Sequence, residues 1–74
     1  MNQQQRRPRI KLRADEYELV RNQVLERDGW RCQECGCFHN LHVHHLQPRY
    51  KLGSDTLENL ITLCADCHRA VHNR

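Results

Sequence analysis

Two Cys-x-x-Cys pairs, Cys32-Gln33-Glu34-Cys35 and Cys64-Ala65-Asp66-Cys67, stand 28 residues apart in a chain of 74. A two-residue spacer lets a tight turn bring both sulfurs onto one ion at about 2.3 Å each, and two such knuckles close a tetrahedron. A closed thiolate set leaves no position for substrate, so this is a structural Zn²⁺ site whose binding energy becomes folding energy. The fifth cysteine, Cys37, is left over and is an alternative to Cys35 as a ligand. A disulfide framework fits less well. The cysteine count is odd, and the opening Met1-Asn2-Gln3-Gln4-Gln5-Arg6-Arg7 is polar and basic rather than an apolar export signal. A reducing, cytoplasmic compartment is therefore expected. Covalent haem attachment at Cys64-Ala65-Asp66-Cys67-His68 would leave Cys32 and Cys35 unused, and Met1, the only methionine, is implausible as an axial ligand.

A chain this short needs such a staple. Domains of this size bury too little apolar surface to fold comfortably alone and add a metal, disulfides or a partner. Here the apolar share is 38%, and Tyr17, Trp30, Phe38 and Tyr50 are the only aromatics. No run approaches the roughly 18 apolar residues that would span a membrane.

Residues 1 to about 13 are polar, rich in Gln and Arg, and read as a flexible arm. Arg6, Arg7, Arg9, Lys11 and Arg13 all precede the first acidic residue, Asp15, and a basic arm of this kind tracks phosphates. Four thiolates on one Zn²⁺ take the formal charge from +3 to about +1, and a second divalent ion on neutral histidines returns it to about +3. Asp15 is placed to cap a helix running to about Arg27, with Tyr17, Val20, Val24 and Leu25 at helical spacing and Asp28-Gly29 as the stop. Leu41-His42-Val43-His44-His45 alternates as a strand does, and Leu60-Ile61-Thr62-Leu63 is a second short strand. Pro48, Gly53 and Ser54 mark a loop over about 46–56. From Ala65 to about Asn73 the chain has helical propensity and carries His68 and His72, four apart and so on one face, where both can bind one ion.

With these residues the sequence resembles the HNH endonucleases, members of the ββα-metal (His-Me finger) nucleases. The likeness runs from about Val24 to His72. It is carried by Arg27-Asp28-Gly29-Trp30-Arg31-Cys32, Cys32-x-x-Cys35, Val43-His44-His45-Leu46, Pro48-Arg49, Leu57-Glu58-Asn59-Leu60 and Leu63-Cys64-x-x-Cys67-His68-x-x-x-His72. The resemblance implies a small α+β fold: a ββα-metal finger with an N-terminal helix, stapled by the four-cysteine zinc site. The nuclease domain then occupies residues 14–74 and the arm residues 1–13.

Roles follow from the same resemblance, position by position. His45 matches the general base that deprotonates the water attacking phosphorus; an unperturbed imidazole, titrating near pH 6.5, can accept a proton at neutral pH. His44 and His68 match ligands of a catalytic divalent metal (Mg²⁺, Mn²⁺, Ni²⁺ or Zn²⁺), and His72 aligns with a histidine that joins the same ion in some relatives. Asn59 matches the residue that spans the loop by hydrogen bonding and holds the base in register. Successive strand residues point to opposite faces, so β-structure through His45 must bend or end there if His44 and His45 are to serve one site. Arg49, Lys51 and Arg69 flank the site and are candidates to hold phosphates. His39 and His42 have no matched role and read as surface or core residues.

The expected function is metal-dependent hydrolysis of phosphodiesters in double-stranded DNA, with low intrinsic specificity and a 5′-phosphate product. No helix is suited to reading base edges. Targeting would come from a protein partner, and the unit would act as a monomer or as a homodimer cutting both strands. The alternative is a zinc-knuckle module that binds nucleic acid without catalysis. A protein-interaction zinc finger would need neither the basic arm nor the histidines.

Overall fold

The computed structural model describes residues 10–72, with only the backbone of His72, so Arg6, Arg7 and Arg9 of the basic arm lie outside the described residues. Helix α1 spans Ala14–Arg27. It has no internal Gly or Pro, and Asp15 and Glu16 in its first turn and Arg27 in its last suit the helix dipole. Its N-cap is Arg13 rather than Asp15: the Glu16 side chain reaches back 3.0 Å to accept the Arg13 N–H, so the helix starts earlier than the capping reading placed it. The stop behaves as expected. Gly29, at φ 70°, lets the chain turn left-handed, and Gly29 and Trp30 N–H groups close on the carbonyls of Glu26 (3.1 Å) and Leu25 (2.8 Å).

Strands β1 (Leu41–His45) and β2 (Leu60–Cys64) pair antiparallel, with Leu41 opposite Cys64 and His45 opposite Leu60. Helix α2 follows at once, Ala65–His72. A two-stranded ribbon is marginal alone, and here a helix packs on each face. Alternation along β1 sends His45 towards α1, where its ring lies parallel to Tyr17 at 6.1 Å between centroids. The same alternation sends His42 and His44 towards α2, at 5.5 and 4.9 Å from the His68 ring. The strand is regular through His45, and its two neighbouring histidines lie on opposite faces at its end.

The core is thin. Among the described residues the buried apolar side chains are Val24, Leu25, Cys32, Leu60, Leu63 and Cys64. Cys32, Leu63 and Cys64 form one cluster with Cys37, Leu41, Ile61, Cys67 and Val71 packed against it, so the sulfur site is part of the core. Asp28 and Arg27 close the other edge of β2. The Asp28 carboxylate accepts the Thr62 N–H at 2.9 Å, and the Arg27 guanidinium donates to the carbonyls of Leu57 (2.8 Å) and Leu60 (2.7 Å). Burial pushes the Asp28 carboxyl up, but the hydrogen bonds from Arg27 and Thr62 outweigh it and hold it below the usual range.

The loop between the strands is tightly folded. The first of its two 3₁₀ turns, Arg49–Lys51, leads into Leu52 at φ 65°, and the Gly53 N–H returns to the Pro48 carbonyl at 2.8 Å; the second, Leu57–Asn59, runs into β2. A Cβ on Gly53 would collide with the Gln47 carbonyl, so only glycine fits. The segment ahead of α1 docks on this loop: Ile10 N–H donates to Ser54 Oγ at 3.0 Å, and Asp55 N–H to the Ile10 carbonyl at 2.7 Å. The end of the expected arm is thus hydrogen-bonded to the domain.

Candidate active site

The first knuckle is a turn in which Gly36 N–H donates to the Cys32 carbonyl at 2.9 Å and Cys32 N–H to the Cys37 carbonyl at 2.8 Å. The second sits where β2 becomes α2. Together they bring the sulfurs of Cys32, Cys35, Cys64 and Cys67 within 4.8 Å of one another. The Cys35 and Cys64 sulfurs are 3.7 Å apart. A tetrahedron with metal–sulfur bonds of 2.3 Å has an edge of about 3.8 Å. The cage therefore fits a divalent ion of this size.

Electrostatics agree with that fit. Amide N–H groups of Glu34 and Cys35 point at Cys32 Sγ, and that of Cys67 at Cys64 Sγ, all at 3.4 Å. Burial raises the Cys32 thiol, yet these bonds bring it down to about 6, and the Cys67 N–H lowers Cys64. Cys67 is pushed up, first by its contact with Cys64 and then by burial. Four sulfurs this close can all be thiolates only with a cation among them. The four cysteines could hold a metal ion, consistent with structural zinc. Cys37 lies against the same cluster, its thiol raised to about 11 by burial and by Cys35 and Cys64 beside it.

The imidazoles make a second cluster. His44 comes from β1 and His68 from the first turns of α2, and their rings meet edge to face. The closed sulfur turn at Cys64–Cys67 fixes where α2 begins and hence where His68 sits. Two imidazoles from different elements, side by side, are a donor set that suits a divalent ion with open positions. The side chain of His72 lies outside the described residues. His42, which the sequence left as either a surface or a core residue, is exposed and also touches His68, a contact the sequence did not signal. A cleft of about 240 Å³ opens beside His44, between Gln33 and Glu34 of the knuckle and Leu46, Ile61, Leu63 and Val71.

On the other face, His45 Nε2 lies 2.7 Å from Asp55 Oδ1. The Asp55 side chain is 1% exposed. Burial alone would raise its carboxyl, but Arg49, His45 and the Leu12 N–H together bring it down to about 2. Asn59 bridges the loop mouth. Its Oδ1 accepts the Gln47 N–H at 2.8 Å, and its Nδ2 donates to the carbonyls of Gln47 (3.0 Å) and Ser54 (2.8 Å). The Leu46 N–H, next to His45, donates to the Asn59 carbonyl at 2.8 Å.

The three basic candidates differ. Arg49 spans Asp55 with Nε at 3.1 Å and Nη2 at 3.0 Å, and its guanidinium lies 5.2 Å over the Tyr17 ring. Lys51 stands beside the exposed Tyr50 ring, and Arg69 pairs with Asp66 on the surface of α2. Sequence reasoning missed Asp55 and Tyr17. Asp55, in a Gly-Ser-Asp stretch, reads as an ordinary turn former, and the only cue was its place in the loop that Asn59 spans.

Comparison with known proteins bears on the same residues. Residues 32–74 match the HNH endonuclease family. Over 63 residues, 73% of the chain, it is 33% identical to the type IV methyl-directed restriction enzyme EcoKMcrA of Escherichia coli, but spans only 23% of that protein. Over 61 residues, 81% of the chain, it is 31% identical to Anaredoxin of Nostoc sp., covering 80% of its length. With the match spanning more than half of the sequence, from the first knuckle through both histidines of α2, the chain belongs to the HNH endonuclease family.

Proposed function

We propose that this protein is a metal-dependent endonuclease that hydrolyses DNA phosphodiester bonds, with zinc on the four cysteines as scaffold and a second divalent ion at the histidines. The observation that carries this is the end of β1. There His44 meets His68 on one face and His45 meets Asp55 on the other, beside a loop that Asn59 ties shut. A phosphodiester lying across the strand end would have the metal ligands His44 and His68 on one side and the base His45 on the other.

His45 takes a proton from a water as that oxygen attacks phosphorus in line with the leaving 3′-oxygen. The phosphorus–oxygen bond to the 3′-oxygen breaks, and the leaving oxygen takes a proton from solvent. His44 and His68 would hold the divalent ion, which when bound would supply Lewis-acid stabilisation of the charge developing on the phosphoryl oxygens. Asn59 keeps the base in register by fixing Gln47 and Ser54, and Lys51 and Arg69, with the outer face of Arg49, would hold neighbouring phosphates. Family membership and a restriction enzyme among the relatives support DNA as substrate.

Plasmid nicking with Mg²⁺, Mn²⁺, Ni²⁺ or Zn²⁺ tests the reading. His45→Ala should abolish cleavage while zinc content and melting temperature hold, and His68→Ala should weaken the metal dependence. DNA binding with no nicking by the wild type under any of these ions would favour the non-catalytic module instead.

A further inference from the structure

The surroundings of Asp55 fix which nitrogen of His45 carries a proton. Asp55 is almost wholly enclosed, and its two oxygens receive four contacts. Oδ2 accepts from the Leu12 backbone N–H at 3.0 Å and from Arg49 Nη2 at 3.0 Å. Oδ1 accepts from Arg49 Nε at 3.1 Å and faces His45 Nε2 at 2.7 Å. A backbone amide and a guanidinium can only donate, and these three N–H contacts, two of them from the Arg49 cation, hold the Asp55 carboxyl down at about 2 against the effect of burial, so Asp55 is the bare carboxylate. A carboxylate has no hydrogen to offer the ring, so His45 Nε2 is the donor. A neutral imidazole carries one N–H, and its lone pair then lies on Nδ1. Tyr17, parallel to the ring within 5°, fixes the plane in which this happens.

We propose that Asp55 is the positioning residue of His45: it holds the ring in the Nε2–H tautomer and so makes Nδ1 the atom that accepts the proton from the attacking water. This rests on the reading of His45 as general base. In the step itself the water O–H bond breaks, the oxygen–phosphorus bond forms, and the proton moves to Nδ1. The imidazolium so formed lies against the Asp55 carboxylate, which stabilises it without taking the proton. Leu12 and Arg49 keep the carboxylate in place, so the segment before α1 belongs to the device. Arg49 thereby has a duty apart from phosphate binding.

The test uses the full zinc-loaded chain and two independent readouts. Long-range ¹H–¹⁵N spectra of the wild type report the tautomer of neutral His45 directly. A protonated Nε2 and bare Nδ1 are expected, and a proton on Nδ1 overturns the proposal. In Asp55→Asn the amide can donate to the ring and stabilise the other tautomer, the fault that lowers kcat about 10⁴-fold in the serine-protease triad. A fall in kcat of about 10²–10⁴-fold is expected here, with KM for DNA within about threefold and zinc content unchanged. Wild-type kcat in Asp55→Asn sinks the proposal while leaving His45 as base, provided His45→Ala is inactive. Wild-type cleavage by His45→Ala sinks both. Should Asp55→Asn fail to fold, the wild-type spectrum still decides.

Discussion

Replacing Cys64 by Ser would test whether the sulfur cage makes the fold. Cys64 is 5% exposed, its sulfur lies 3.7 Å from that of Cys35, and it receives the Cys67 N–H at 3.4 Å. A serine hydroxyl occupies much the same space but is a poor ligand for a thiolate-selecting ion. Two magnitudes settle the outcome. A domain of this length has a total stability of about 4–11 kcal/mol. Structural zinc in finger peptides contributes about 10–16 kcal/mol near neutral pH. Loss of the ion therefore exceeds the whole margin, and the few buried apolar residues cannot make up the deficit. Cys64→Ser should lose zinc and its cooperative melt.

Cys35→Ser is the internal control. Cys35 is exposed, and Cys37 lies against the same cluster as a replacement ligand, so this variant should keep zinc with a lowered melting temperature. The double variant Cys35→Ser/Cys37→Ser should behave like Cys64→Ser. Zinc content by elemental mass spectrometry and thermal melts by circular dichroism read the outcome. A loss of 1 kcal/mol shifts the melting temperature by about 4–8 °C at this size. If Cys64→Ser kept one tightly held zinc and melted within about 4 °C of wild type, the argument that the cage supplies the fold would be refuted.

Two further variants probe the frame around the active site. Asp28→Ala strips the buried Thr62 N–H and the Arg27 guanidinium of their carboxylate, and should cost about 2–4 kcal/mol in urea denaturation. Asp28→Asn should cost clearly less, because an acceptor remains; equal losses would mean that the charge, not the acceptor, matters. Gly53→Ala forces a Cβ against the Gln47 carbonyl, so the loop must shift at a cost of about 1–3 kcal/mol. Because Asn59 fastens that same loop beside His45, nicking should fall more than stability alone explains, and unchanged activity would show that loop geometry does not govern the base.

Features set by short stretches of chain were legible in the sequence. Two-residue spacers oblige neighbouring sulfurs to converge, and alternation at Leu41–His45 fixes which histidines share a face. Gly29 could stop α1 because its left-handed conformation is a local property. Even the tension between His44 and His45 was visible, and of the two ways out, a bend or an end, the chain takes the second: the strand stops at His45 with one ring on each face. Tertiary structure alone decided which polar groups those rings meet. Asp55 finds His45 across 10 residues, Asp28 finds Thr62 across 34, and Leu12 reaches Asp55 across 43. None of these pairings follows a helical or strand period. Each depends on the path of an aperiodic loop, and that path is set by where the sulfur cage, Gly53 and Asn59 pin the backbone.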